Sequence, residues 1–328
     1  MNRPHHAAPG HGPEHGHGPE HGHGPGHGPS QDQGHQHGHG HDHGAGGDFD
    51  WDALATLLER EAELRAPAVT QAAHWLSGLL DGGAAHGGVR RVLDVGSGPG
   101  VIAGLLAEVF PDAEVVAVDQ SPALLERAGA RSAGRLTTRQ AELPGDFGTL
   151  GAADLIWSAN TVHHLGDQQA ALTALAGSLR PGGLLAVAER GLPLRFLPRD
   201  IGLGRPGLQA RLDAAQEETF AEMRAELPDT VATVEDWPAL LAGAGLVPSG
   251  TRTFLTDLPA PLDPTARGYL HTLLSRQRGR IGEGLDAADR ATLDALLDPA
   301  APTGILNRPD AFYLTATTVH TARAAGTE

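Results

Sequence analysis

The chain has 328 residues and a formal net charge of −16. All 24 basic residues are Arg and there is no Cys, which excludes disulfides, thiolate–zinc sites and thiol nucleophiles. Residues 1–48 hold one Arg and five acids, so −12 of the charge falls on the remaining body. A body that acidic is repelled by phosphate backbones, which argues against nucleic acid as a partner. Neither an apolar signal core nor a run of about 18 apolar residues is present, so the expected place is the cytoplasm, away from membranes.

Residues 1–47 are mostly Gly, His, Pro and polar groups, too poor in apolar surface to offset ordering entropy. A disordered tail is expected there. Thirteen of the 19 histidines lie before Ala45, and "GPEHGH" occurs twice. His35, His37, His39, His41 and His43 alternate strictly. Alternate side chains of an extended chain share a side, so these imidazoles are candidates to chelate a divalent ion such as nickel, zinc or copper.

Residues 48–88 read as helical. Leu54, Leu57, Leu58, Ala62 and Leu64 share a face, and Asp50 and Asp52 suit a helix start. Pro67 is expected to break this helix, and Val69, Ala73, Leu76 and Leu80 to continue as a second one. Short β-branched runs then alternate with helical runs. Strands are expected at 90–96, 113–119, 153–159 and 183–189, with helices at 100–110, 121–131 and 168–179. That alternation implies parallel strands joined by right-handed crossovers, a doubly wound α/β sheet. Residues 190–228 interrupt it with a Pro-rich loop and a helix carrying Leu208, Leu212, Ala215, Thr219, Met223 and Leu227 on one side. A helix at 234–246, a strand at 249–258, helices at 264–280 and 287–297 and a strand at 311–322 complete the pattern.

"VLDVGSGPG" (92–100) is the strongest chemical signal. Gly96, Gly98 and Gly100 follow a strand and open a helix, where glycines permit a tight turn and a close ligand. Asp119 ends the next strand, placed to hold ribose hydroxyls with its two oxygens. The dinucleotide pattern G-x-G-x-x-G needs a glycine at position 101, which is Val101.

"VLDVGSGPG", "VVAVDQSPALLERA", "DLIWSANTVHHL" and "LRPGGLLAVAE" arrive in order, and over 89–189 the chain resembles the class I S-adenosylmethionine-dependent methyltransferases. The resemblance implies a mostly parallel seven-stranded sheet, the Rossmann-like methyltransferase fold, ended by an antiparallel pair from 249–258 and 311–322. It divides the chain into the tail (1–47), a helical lid (48–88) and a methyltransferase domain (89–328) with a lid-forming insertion at 190–228. It also implies S-adenosylmethionine as methyl donor, with no metal required for the chemistry. By it, Gly96, Ser97, Gly98 and Gly100 wrap the methionine part, Asp94 holds the amino group, and Asp119 binds the ribose. Gln120 lies beside the adenine, with Ala141 or Glu142 near the adenine amine. Ser158 and Asn160 fall at the carboxyl end of the fourth strand, where ligands gather, Ser158 as a cofactor contact and Asn160 as a catalytic candidate.

His163 and His164 have two readings: one of them, with His163 the candidate, as general base for an acceptor hydroxyl or amine, or the two as a cap on the next helix. Adjacent residues on a helix or strand point apart, so the two are not expected to share one metal. Glu189 is read either as an acceptor contact or as the end of its strand. Trp75, Trp157 and Phe196 are read as pocket lining or core. The implied reaction is an in-line displacement on a small-molecule acceptor, for which alignment and water exclusion matter most and a strong base is not obligatory. Two alternatives remain: a metal buffer acting through the tail, and a cofactor-binding domain without catalysis.

Overall fold

A computed structural model of the chain describes residues 51–81 and 88–326. Its centre is a seven-stranded sheet in the order β3-β2-β1-β4-β5-β7-β6. The strands are β1 (Arg91–Val95), β2 (Glu114–Asp119), β3 (Leu136–Gln140), β4 (Ala153–Ala159), β5 (Leu179–Arg195), β6 (Val247–Leu258) and β7 (Tyr313–Arg323). The first five are parallel, and β7 lies antiparallel between β5 and β6. The antiparallel ending expected from the late strands is therefore present. The strand order reverses between β1 and β4, which opens a crevice at the carboxyl ends of the central strands.

The central strands are apolar on both faces because helices cover both. Val92, Leu155, Trp157, Leu184 and Ala186 pack on one side with α1 (Trp51–Asp81) and α2 (Val101–Val109). Leu93, Val95, Ile156, Leu185 and Val187 pack on the other with α4 (Gln168–Ala176) and α6 (Trp237–Gly243). A third cluster joins Leu57 of α1 to Leu208 and Leu212 of α5 (Leu208–Glu226), Leu270 of α7 (Pro264–Ile281) and Leu293 of α8 (Ala287–Leu297). On the face of α1 and α2 also packs α3 (Pro122–Arg131), capped by Ser121 with Pro122 at its first position, as the sequence implied.

Several elements differ from the sequence reading. The expected break at Pro67 is absent, and α1 is one helix of 31 residues. Pro67 is exposed, and Ala68, Ala72, Ala73 and Leu76, which follow it, anchor the helix on the sheet and offset the hydrogen bond it cannot donate. Strand β3 was not expected, since "LTTRQ" is polar and largely exposed at a sheet edge. Strand β5 begins earlier and ends later than 183–189, absorbing the Pro-Gly-Gly turn and running into the insertion with register shifts after Arg190. Helix α5 is buried only near its start, at Leu208, Gln209 and Leu212, because its later turns lie on the surface over the sheet end.

Of the aromatics weighed as pocket lining, Trp157 and Phe196 are core side chains. Trp75 packs its ring against Phe254 at 5.9 Å. None of the described helices is long and apolar enough to cross a membrane.

Candidate active site

The turn after β1 is built around its glycines. Val118 of the neighbouring strand accepts hydrogen bonds from the N–H groups of Gly96 (2.8 Å) and Ser97 (3.0 Å). Gly96 has φ +75°, and a Cβ there would meet Thr161 Oγ1 at 2.0 Å. Gly100 sits as tightly against Ala128 of α3, where a Cβ would come within 2.4 Å. Close packing thus explains the outer two glycines. At Gly98 a Cβ would meet only Leu58 of α1, at 4.0 Å, so the middle of the turn leaves room for a ligand.

Asp119 ties this turn to the next. One oxygen accepts from Gly98 N–H (2.8 Å) and the other from Ser121 N–H (2.9 Å). Asp94 is 2% exposed, and its Oδ2 has no protein partner. Burial, reinforced by the charge of Asp119 and opposed by the Ala103 N–H, pushes its carboxyl up to about 8. The hydroxyls of Ser97 and Ser158 are likewise buried without a partner. Buried polar atoms are normally paired, so three such oxygens around the ends of β1 and β4 mark a place where a ligand completes the bonding. A ligand with cationic and hydrogen-bonding groups suits this polar set with its buried acid, and S-adenosylmethionine, with its ammonium, sulfonium and ribose hydroxyls, fits it.

The adenine-side residues are less constrained. Gln120 is half-buried, and its carbonyl accepts from Gln140 Nε2 at 3.3 Å. Ala141 is buried, its N–H bonded to the Asp119 carbonyl (3.1 Å), whereas Glu142 is exposed. Asn160 is also exposed, in a left-handed conformation (φ +49°) that turns the chain out of β4.

His163 and Glu189 come together. His163 Nδ1 lies 2.5 Å from Glu189 Oε2, and the side chains are 8% and 4% exposed. Glu189 Oε1 is buried without a partner. His163 and Glu189, weighed separately in the sequence, are neighbours in the fold. Both halves were visible as residues, but only the pairing of β4 with β5 joins them. The capping reading is corrected: Asp167 caps α4 through Ala170 N–H (2.8 Å), and both histidines lie in a 3-10 turn, Val162–His164. In so tight a turn the adjacent rings do not point apart, and their centroids are 4.2 Å from each other.

Sequence reasoning missed Arg224 and Phe220, which reach this turn from α5. Arg224 hydrogen-bonds carbonyls of the turn and Phe220 packs on both rings. Their only signal was a place in the insertion. The alternating histidines His35, His37, His39, His41 and His43 lie outside the described residues. Among the described residues no group of three or more His, Asp or Glu could hold a metal ion.

The strand order, the glycine turn, the acid ending β2 and the polar crevice define a Rossmann-like methyltransferase. A family model described as "Methyltransferase domain" matches residues 93–185. A trans-aconitate 2-methyltransferase of Methylobacterium radiotolerans is 34% identical over 199 residues, 55% of this chain and 75% of the relative. A second, from Mycobacterium sp. strain KMS, is 30% identical over 221 residues, 65% of this chain and 80% of its own. Among solved structures, an O-methyltransferase family protein from Burkholderia thailandensis aligns over 85% of this chain and 60% of its own, at 15% identity and a TM-score of 0.46. The chain belongs to the class I S-adenosylmethionine-dependent methyltransferases.

Proposed function

We propose that this methyltransferase acts on an oxygen or nitrogen of a small molecule that gives up a proton as it is methylated, with His163 as the base. The buried His163–Glu189 contact carries this reading. A carboxylate only accepts, so Glu189 holds the proton of Nδ1 and leaves Nε2 with a lone pair for the acceptor's proton. S-adenosylmethionine, when bound, supplies a methyl group on a good leaving group. Asp94, Ser97 and the Gly96–Gly100 backbone would hold its methionine end and Asp119 its ribose. Gln120 and the Ala141–Glu142 pair would flank its base, with Ser158 and Asn160 beside the acceptor. The first half of α1, over Gly98, and α5, over His163, would shield the site from water.

The names of the relatives favour a second reading, in which the acceptor is a carboxylate as in trans-aconitate. Such an oxygen is already ionised and needs no base. One experiment separates the two: formation of S-adenosylhomocysteine by wild type and His163→Gln, with trans-aconitate and with panels of small phenols and amines. Turnover of a phenol or amine that collapses in His163→Gln supports the first reading. Turnover of trans-aconitate that is insensitive to the substitution establishes the second.

A further inference from the structure

The turn bearing His163 is held from outside the sheet. Arg224, in the last turn of α5, donates from Nη1 to the carbonyls of His163 (2.6 Å) and Leu165 (2.8 Å). Its Nη2 reaches the carbonyl of Gly166 at 3.5 Å, which also accepts from Val231 N–H at 3.2 Å. Phe220 sets its ring edgewise to His163 (5.5 Å, 67°) and to His164 (6.1 Å, 73°). The chain leaving α5 presses on the same turn, for a Cβ at Gly166 would lie 2.1 Å from the Pro228 carbonyl oxygen. Thr230 Oγ1 lies within reach of the carbonyls of Arg224 (2.9 Å) and Leu227 (2.6 Å) and shares its one O–H between them, which fixes the exit of the helix.

These contacts answer a specific need. Carbonyls at the end of a short helical turn have no partner within it. A planar guanidinium with donors in a fixed fork can serve several carbonyls at once, and an ammonium cannot reproduce that geometry. Where the turn sits decides whether the imidazole meets Glu189, and proton transfer is sensitive to misplacement on the ångström scale.

We propose that Arg224 and Phe220 are positioning residues for the methyl-transfer reaction: the inserted helix, through the carbonyls of His163, Leu165 and Gly166 and the faces of two imidazoles, sets the His163–Glu189 contact. The inference rests on the assignment of His163 as the base. It makes the insertion part of the chemistry as well as a cover over the site.

The test is a proton NMR spectrum of the full chain, because an N–H held at 2.5 Å by a buried carboxylate resonates far downfield. Loss of that signal in Glu189→Gln assigns it. In Arg224→Lys and Arg224→Met the signal is expected to move upfield or vanish into exchange with water. Phe220→Leu is expected to move it less. In parallel, turnover should fall about tenfold in Arg224→Lys while cofactor affinity stays at the wild-type value. Arg224→Lys keeps the charge and Phe220→Leu keeps an apolar contact, so both remain informative if Arg224→Met does not fold. A signal unchanged in Arg224→Lys and Phe220→Leu overturns the positioning role and leaves His163 as base. A signal missing from the wild type removes the His163–Glu189 pair itself, and the base assignment with it.

Discussion

At the ends of β1 and β2 the polar groups are held by near neighbours in the chain. Asp119 reaches Ser121 two residues on and Gly98 21 residues back, and the glycine turn closes on the adjoining strand. At the ends of β4 and β5 the distances along the chain are longer. His163 meets Glu189 26 residues away, and Arg224 supports the same turn from 61 residues away. The first region is centred on one βαβ unit, against which Thr161 beyond β4 and Leu58 of α1 close. The second is assembled from two strands and an insertion, so its geometry varies with what is inserted.

Four substitutions or deletions probe the contrast, from the largest expected effect down. His163→Gln removes the proposed base and should lower turnover about 100- to 10,000-fold with cofactor affinity intact, as read by S-adenosylhomocysteine release. Gly96→Ala attacks the other region through its backbone. A side chain at φ +75° that also collides with Thr161 should cost about 2–4 kcal/mol of stability in urea denaturation.

Asp94 gives the donor region a pH signature. Its carboxyl titrates near 8 in the ligand-free protein, so it is protonated below that pH, and a cationic ligand favours the ionised form. Cofactor binding should therefore release a proton, and affinity should rise with pH by up to about tenfold per unit before levelling above about 8. The same shift means that Asp94 contributes stability to the ligand-free fold that is full below its ordinary value and lost as pH rises through about 8. Calorimetry in buffers of different ionisation enthalpy checks the proton release, which Asp94→Asn should abolish. Deleting residues 1–47 is the smallest change expected: cofactor affinity and turnover stay as they were, and retention on immobilised nickel is lost.

The two regions were also unequally legible in the sequence. Local rules sufficed for the donor side: a strand ending in Gly96–Gly100, an acid ending the next strand, and Ser121 with Pro122 opening a helix. Pro67 misled because the packing of Ala68, Ala72, Ala73 and Leu76 on the sheet holds α1 together through a residue that local rules read as a break. Strand β3 was invisible because an edge strand need not be apolar. The extension of β5 to Arg195 is fixed by pairing with β7 from far along the chain. Glu189 and His163 were each noticed, but their contact needs the register of β4 on β5, and Arg224 gave no sign beyond its place in an amphipathic helix.

Titration of S-adenosylmethionine into Asp119→Ala and His163→Gln, side by side with the wild type, tests the separation of donor and acceptor regions most directly. Removing Asp119 deletes a charged acceptor and should weaken binding by about 1.5–3 kcal/mol, roughly 10- to 150-fold. His163→Gln should bind as the wild type does. Full affinity in Asp119→Ala, or an equal loss in both variants, would contradict the assignment of the donor to β1 and β2 and the base to β4 and β5.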